Sequence, residues 1–192
     1  LVGLPAPPRA RARVLSALLV GISLASSALA FQLRDDVRYA FSSSTPVALG
    51  DGRAADPAAA GLNRLVTVRV APQMAGAVRY TRPLVPASER VVFPVAARDG
   101  APLYVQVDGA PASGELTGRL LSFDSAGGRY GGVGHYLRTH MDAPVTGTTW
   151  LVIAGDTPRA TWWAPVLCAL LLAFAVTDLL LLARLLRPVR EE

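Results

Sequence analysis

The side chains best suited to chemistry are few, and most of them fall in one stretch of the chain. His135 and His140 are the only histidines, and Asp142 follows close behind. A zinc site needs three or four ligands converging from well-spaced positions. This trio would have to converge from one short segment, and no further His, Cys or Glu stands at a matching spacing. The two histidines therefore read as surface or partner-facing groups, and no metal is expected. Ser122, Asp124 and His135 supply the residue types of a nucleophilic triad. Any chain this long offers such triples, and there is no Gly-x-Ser-x-Gly elbow to present the serine.

The run Gly127-Gly128-Arg129-Tyr130-Gly131-Gly132-Val133-Gly134 resembles a phosphate cradle at first sight. It lacks the Lys-Ser/Thr ending of a P-loop and the spacing of a dinucleotide fingerprint, and it follows a turn. It reads as a flexible loop. With no catalytic constellation, the chain is expected not to be an enzyme and to carry no cofactor.

Asp178 is the most informative single residue. It interrupts the apolar sequence Val176-Thr177-Asp178-Leu179-Leu180, roughly 9 Å beyond the middle of its apolar run. A charged Asp in hydrocarbon costs a few kcal/mol, so such residues face protein, water or headgroups. Two readings stay open: Asp178 reaches the headgroups, or it bonds to a partner helix. A proton relay would need further groups that the chain does not supply.

Two apolar runs must position whatever this chain does. One spans Val14 to Phe31, the other Trp162 to about Ala183, with roughly 130 residues between them. A bilayer core about 30 Å thick needs about 20 apolar residues of helix, and each run is close to that length. The expected organisation is a basic tail (1–13), a first transmembrane helix (14–33), a loop or tether (34–61), a β domain (62–160), a second transmembrane helix (161–184) and a tail (185–192). Neither histidine lies in a span, which excludes haem or pigment ligation by an intramembrane imidazole.

Charge orients the spans. All 19 basic residues are Arg, and the chain carries a net charge of +5. Arg9, Arg11 and Arg13 precede the first span, and Arg184, Arg187 and Arg190 end or follow the second; positive flanks stay cytoplasmic. Trp162 and Trp163 fit the aromatic belt at the opposite interface. Arg13, Arg184, Arg187 and the two tryptophans are thus the expected interface anchors. Both termini should be cytoplasmic and the central domain periplasmic, in a bacterial inner membrane. Residues 32–161 hold 13 Arg against 11 acidic residues and no basic stripe with interleaved aromatics, so nucleic acid is not an expected partner.

The first run has a rival reading as a cleavable signal ending at Ala28-Leu29-Ala30. Phe31 and Leu33 extend the apolar stretch past that point and favour a retained anchor. Its small residues, Gly21, Ser23 and Ser27 among them, permit close approach by another helix. Together with Asp178 they are the expected partner-helix contacts. The single cysteine, Cys168, lies in the second run, so no disulfide staples the domain.

Strand patterns in the middle suggest a small antiparallel sandwich or partly open barrel. The segments are 65–70, 77–81, 90–95, 103–107, 115–123 and 149–154, separated by turns at Arg82-Pro83, Asp99-Gly100, Asp108-Gly109 and Gly127-Gly128. A short helix is expected around His135 to Met141.

In layout alone the chain resembles cytochrome oxidase assembly factors with an extracytoplasmic domain between two spans. No motif is shared, so the resemblance implies no residue role. The leading expectation is a non-catalytic accessory subunit of a larger membrane complex, respiratory or photosynthetic on general frequency, with lipid and other integral-membrane subunits as partners. The alternatives are an assembly factor for such a complex and an envelope ligand-binding or sensor module.

Overall fold

The computed structural model describes residues 9–81, 89–95, 103–111, 113–123, 128–140, 145 and 149–186. In chain order the first elements are α1 (Arg9–Gln32), α2 (Arg34–Ala40), β1 (Val47–Asp51), α3 (Pro57–Ala60), β2 (Arg64–Val70) and β3 (Val78–Thr81). There follow β4 (Glu89–Val95), β5 (Leu103–Asp108), β6 (Gly114–Ser122), α4 (Gly128–His140), β7 (Trp150–Ala154), a 3-10 turn (Arg159–Thr161) and α5 (Trp163–Leu186). These form two compact units: the chain up to Val37 together with Trp162 onward, and Arg38 to Thr161.

The first unit contains two helices long and apolar enough to cross a membrane. α1 stops at a turn where the Leu33 N–H reaches the carbonyls of both Leu29 and Ala30 at 3.2 Å. α2 restarts at Arg34; Asp35 and Asp36 in its first turn and Arg38 in its last match the helix dipole. In α5, Pro165 falls in the first turn, where its missing N–H breaks no bond.

The second unit is built on one seven-stranded sheet in the order β1-β2-β6-β7-β5-β4-β3. The sheet is mixed rather than purely antiparallel, because β1 pairs with β2 and β5 with β7 in parallel. It rolls without closing. A Cβ placed on Gly52, just past β1, would lie 2.8 Å from Val95 Cγ1 of β4 and 3.1 Å from the Arg69 carbonyl oxygen. Strands far apart in sheet order therefore touch across one face. That face is lined by Val66, Val68 and Val70 of β2 and by Phe93, Val105 and Leu120. The other face carries Val92, Tyr104, Leu121, Leu151 and Phe123, covered by Leu137 of α4 and by Val145.

Burial explains why the central strands read as apolar runs. All of Leu103 to Val107 are buried, as are Leu151 to Ile153, because both faces of these strands are covered. Each fully buried Val, Leu or Phe contributes roughly 1.5–3 kcal/mol. At Gly118 of β6 any Cβ would strike the Ile153 carbonyl of β7, so only glycine fits.

Two expectations are corrected. The segment 34–61 is not a plain tether, since it holds α2, β1 and α3. β1 leaves no periodic signal, because Val47-Ala-Leu-Gly-Asp51 has no alternation; it is an edge strand placed by backbone pairing, with a register shift between Ala48 and Gly50. The glycine-rich run is not a loop from Gly128 onward but the first half of α4. Each glycine costs a helix about 1 kcal/mol, so α4 depends on packing. Leu137 is fully buried, and Gly134 lies so near the Phe123 ring that a Cβ would sit 3.1 Å from it. Of the expected turns, Asp108-Gly109 is present with Gly109 at φ 81°. Arg82-Pro83, Asp99-Gly100, Gly127 and Met141 lie outside the described residues.

Candidate functional site

In the first unit, the residues of interest gather along the seam between α1 and α5. On α1 an inward series runs Ser16, Leu19, Ser23, Ser26 and Ala30, with Ile22 half-buried beside it; on α5 the series is Ala164, Cys168, Leu171, Ala175, Asp178 and Leu182, with Pro165 half-buried beside it. Both series alternate steps of three and four, the spacing of a left-handed helix pair. Most members are small, which lets the two backbones come close. Cys168 Sγ lies 3.9 Å from the Ala30 carbonyl oxygen, joining the start of α5 to the end of α1, so the helices run antiparallel. Counting ten residues along each helix from that contact puts Asp178 level with Val20, between Leu19 and Ser23.

Asp178 is 5% exposed, and its Oδ2 has no hydrogen-bond partner among the described residues. The neighbouring hydroxyl does not help: Thr177 Oγ1 donates to the Ala173 carbonyl at 2.9 Å, one turn back. Asp178 and Ser23 thus share the seam within the chain. Gly21 and Ser27 are exposed, and nothing lies within 4 Å of where a Cβ on Gly21 would be. Trp162 and Trp163 are exposed at the start of α5, and Arg13 and Arg184 are exposed on their helices. Arg187 lies outside the described residues.

The second unit contains a polar cluster centred on Arg119. Arg119 of β6 is only 4% exposed. Its Nε donates to Asn63 Oδ1 at 2.7 Å, and its guanidinium carbon sits 4.3 Å from the centre of the Tyr39 ring. A terminal nitrogen of Arg119 lies 3.8 Å from Asp156 Oδ2. Tyr39 donates its hydroxyl to the Asp156 carbonyl at 2.8 Å, and Thr161 donates to Asp156 Oδ1 at 3.1 Å. Asn63 reaches its place by adopting φ 61°, a left-handed conformation that Asn tolerates. Burial first, and the Asp156 charge second, push the Tyr39 hydroxyl well above its usual titration range, while Arg119 pulls it down. The cluster joins the first residues of the unit to the last.

Comparison with family models, curated proteins and solved structures found no match.

The candidate triad is not assembled among the described residues. Ser122 is buried on β6, His135 is exposed on α4, and Asp124 lies outside the described residues. His140 stacks on Tyr136 with ring centres 4.6 Å apart, and its Nδ1 is 2.8 Å from Thr139 Oγ1. Among the described residues no three His, Cys, Asp or Glu side chains group as metal ligands. The signal that could have revealed Arg119 was its place in Gly118-Arg119-Leu120-Leu121. A cation next to two consecutive leucines in a strand faces one of two covered sides.

Proposed function

We propose that this chain is a non-catalytic accessory subunit of a larger integral-membrane complex. One observation carries the reading. α1 has two faces of small residues: one meets α5, while Ala17, Gly21, Ala25 and Ala28 form a second, exposed face on the opposite side. A small-residue face gains little by packing against lipid, but it lets another helix approach closely. The Arg-rich flanks support an inner-membrane protein with both termini cytoplasmic and the β unit periplasmic. There the β unit would brace neighbouring subunits.

Mild-detergent extraction, native electrophoresis and mass spectrometry of the band test this. The chain should migrate with other membrane subunits in fixed stoichiometry, and Gly21→Leu should release it without preventing insertion. Migration of the wild-type chain alone, near its own 20.1 kDa plus detergent, overturns the reading. Reporter fusions after Glu192 and near Ala58 test the orientation: activity on the same side of the membrane would refute it.

A further inference from the structure

We propose that Asp178 pairs with a basic side chain on a transmembrane helix of a different polypeptide, lying against the Phe174 and Leu181 side of α5. The inference rests on the accessory-subunit reading and names the chemistry of the partner. Its basis is a carboxylate that is nineteen-twentieths buried in an apolar helix pair, with one oxygen enclosed and unpartnered among the described residues.

The chain's own donors are at the wrong height. Ser23 and Ser16 lie three and four residues from the level of Asp178, or about 4–6 Å along the axis, and neither bonds to it. Thr177 is committed to Ala173. An uncompensated carboxylate in hydrocarbon is costly, and such residues pair with a donor or face water. No described side chain of this helix pair supplies that donor.

A second copy of this chain does not supply it. The nearest described cations along the spans are Arg184 and Arg13. Arg184 is six residues from Asp178, about 9 Å along the axis, and Arg13 is seven residues from the level of Val20, about 10 Å. A copy inserted in the same orientation places its arginines at that same unsuitable depth. Reach then selects the donor. Asp178 sits in the groove between two helices, where a short hydroxyl on a third helix would fall short. A long guanidinium or ammonium side chain enters past Phe174 and Leu181, which flank Asp178 one turn to either side and fall on one face of α5.

The test uses the full chain in liposomes with three synthetic Leu-Ala transmembrane peptides. One carries a single Arg at the depth of Asp178, one carries Arg two turns nearer the loop end, and one carries Leu throughout. Energy transfer between labelled chain and peptide should show at least tenfold tighter association for the matched-depth Arg peptide than for the other two. Asp178→Asn and Asp178→Leu should both abolish that gain; the near-isosteric Asn variant guards against loss of the hairpin itself. Equal association of all three peptides, or a gain that survives in Asp178→Leu, overturns the proposal. So does cross-linking between two differently tagged copies that disappears in Asp178→Leu, since the partner would then be a second copy. In native membranes the two ideas separate. A wild-type chain migrating alone removes the accessory-subunit reading and the pairing with it. A larger species that Asp178→Leu leaves intact overturns the pairing alone.

Discussion

Replacing Arg119 by Met should destabilise the β unit by about 2–3 kcal/mol. Met keeps most of the apolar stem but removes the charge and the planar fork. The largest loss is the 2.7 Å bond to Asn63, charge-assisted and buried, worth about 1.5–3 kcal/mol. The position over the Tyr39 ring adds about 1 kcal/mol. The Asp156 contact adds only a few tenths, since it is long at 3.8 Å and the Asp156 side chain is 24% exposed to water. Against these stands the desolvation of a buried guanidinium, which Met relieves in part. For a domain of this size each kcal/mol lowers Tm by roughly 3–6 °C, so the expected fall is about 6–18 °C. Near-ultraviolet circular dichroism of the full chain in detergent follows the tertiary packing through the transition. Arg119→Lys separates geometry from charge. An ammonium cannot make the fork and stack together, so Lys should restore less than half the loss. A Met variant within about 0.5 kcal/mol of wild type, or a Lys variant as stable as wild type, refutes the cluster as an organising element.

Two further outcomes follow from the same geometry. The Tyr39 hydroxyl titrates above its ordinary value of 10.0 in the folded chain, and burial moves Tyr104 the same way. Their stabilisation is whole below about pH 10 and declines as pH rises toward the folded values, because the unfolded chain loses those protons first. Tyr39→Phe should cost about 1 kcal/mol at pH 7 yet flatten the alkaline decline in urea titrations. A decline as steep as in wild type refutes the assignment to Tyr39. In the helix pair, Ala30→Cys should cross-link to Cys168 with a short bis-thiol reagent, and Ala28→Cys, on the outer face, should not. The reverse result would mean that α1 turns a different face to α5.

Strands β2 to β7 were legible because their physics is local, whereas β1 has no alternation to read. Leu65-Val-Thr-Val-Arg-Val70 alternates, and it lies within a pairing with β6 that runs unbroken from Arg64 to Val70. What could not be read was which strands pair. Parallel pairing of β5 with β7 depends on a crossover through α4 and on the β6 strand that fills the next place, and neither leaves a local mark. The rolled shape is similarly hidden. It depends on Gly52 having no side chain where Val95 arrives, a contact between residues more than forty positions apart. Asp178 was conspicuous by composition, but its partner face was not, because Ser23, Ser26 and Ala30 look no different from Gly21 and Ser27 until the helix pair sets the angle. Arg119 was hidden for the opposite reason: an arginine in a strand is ordinary until both faces prove to be covered.

The two units solve the same problem by different means, and this bears on the function proposed. In the β unit, Tyr39 and Asp156 are 117 residues apart in sequence yet share a 2.8 Å bond, and Thr161 joins the same cluster, so the chain enters and leaves the unit at one place. In the helical unit, Ala30 and Cys168 are 138 residues apart and touch, so α1 ends where α5 begins. Closing loops of that length costs several kcal/mol of chain entropy if one unit must do it alone. Here each unit closes its own ends through its own contacts, one polar and one built from small residues. The outer face of α1, with Ala17, Gly21, Ala25 and Ala28, is exposed and stays outside those closing contacts. That face and the flank of α5 beside Asp178 are therefore the ones the proposed partner helices would cover.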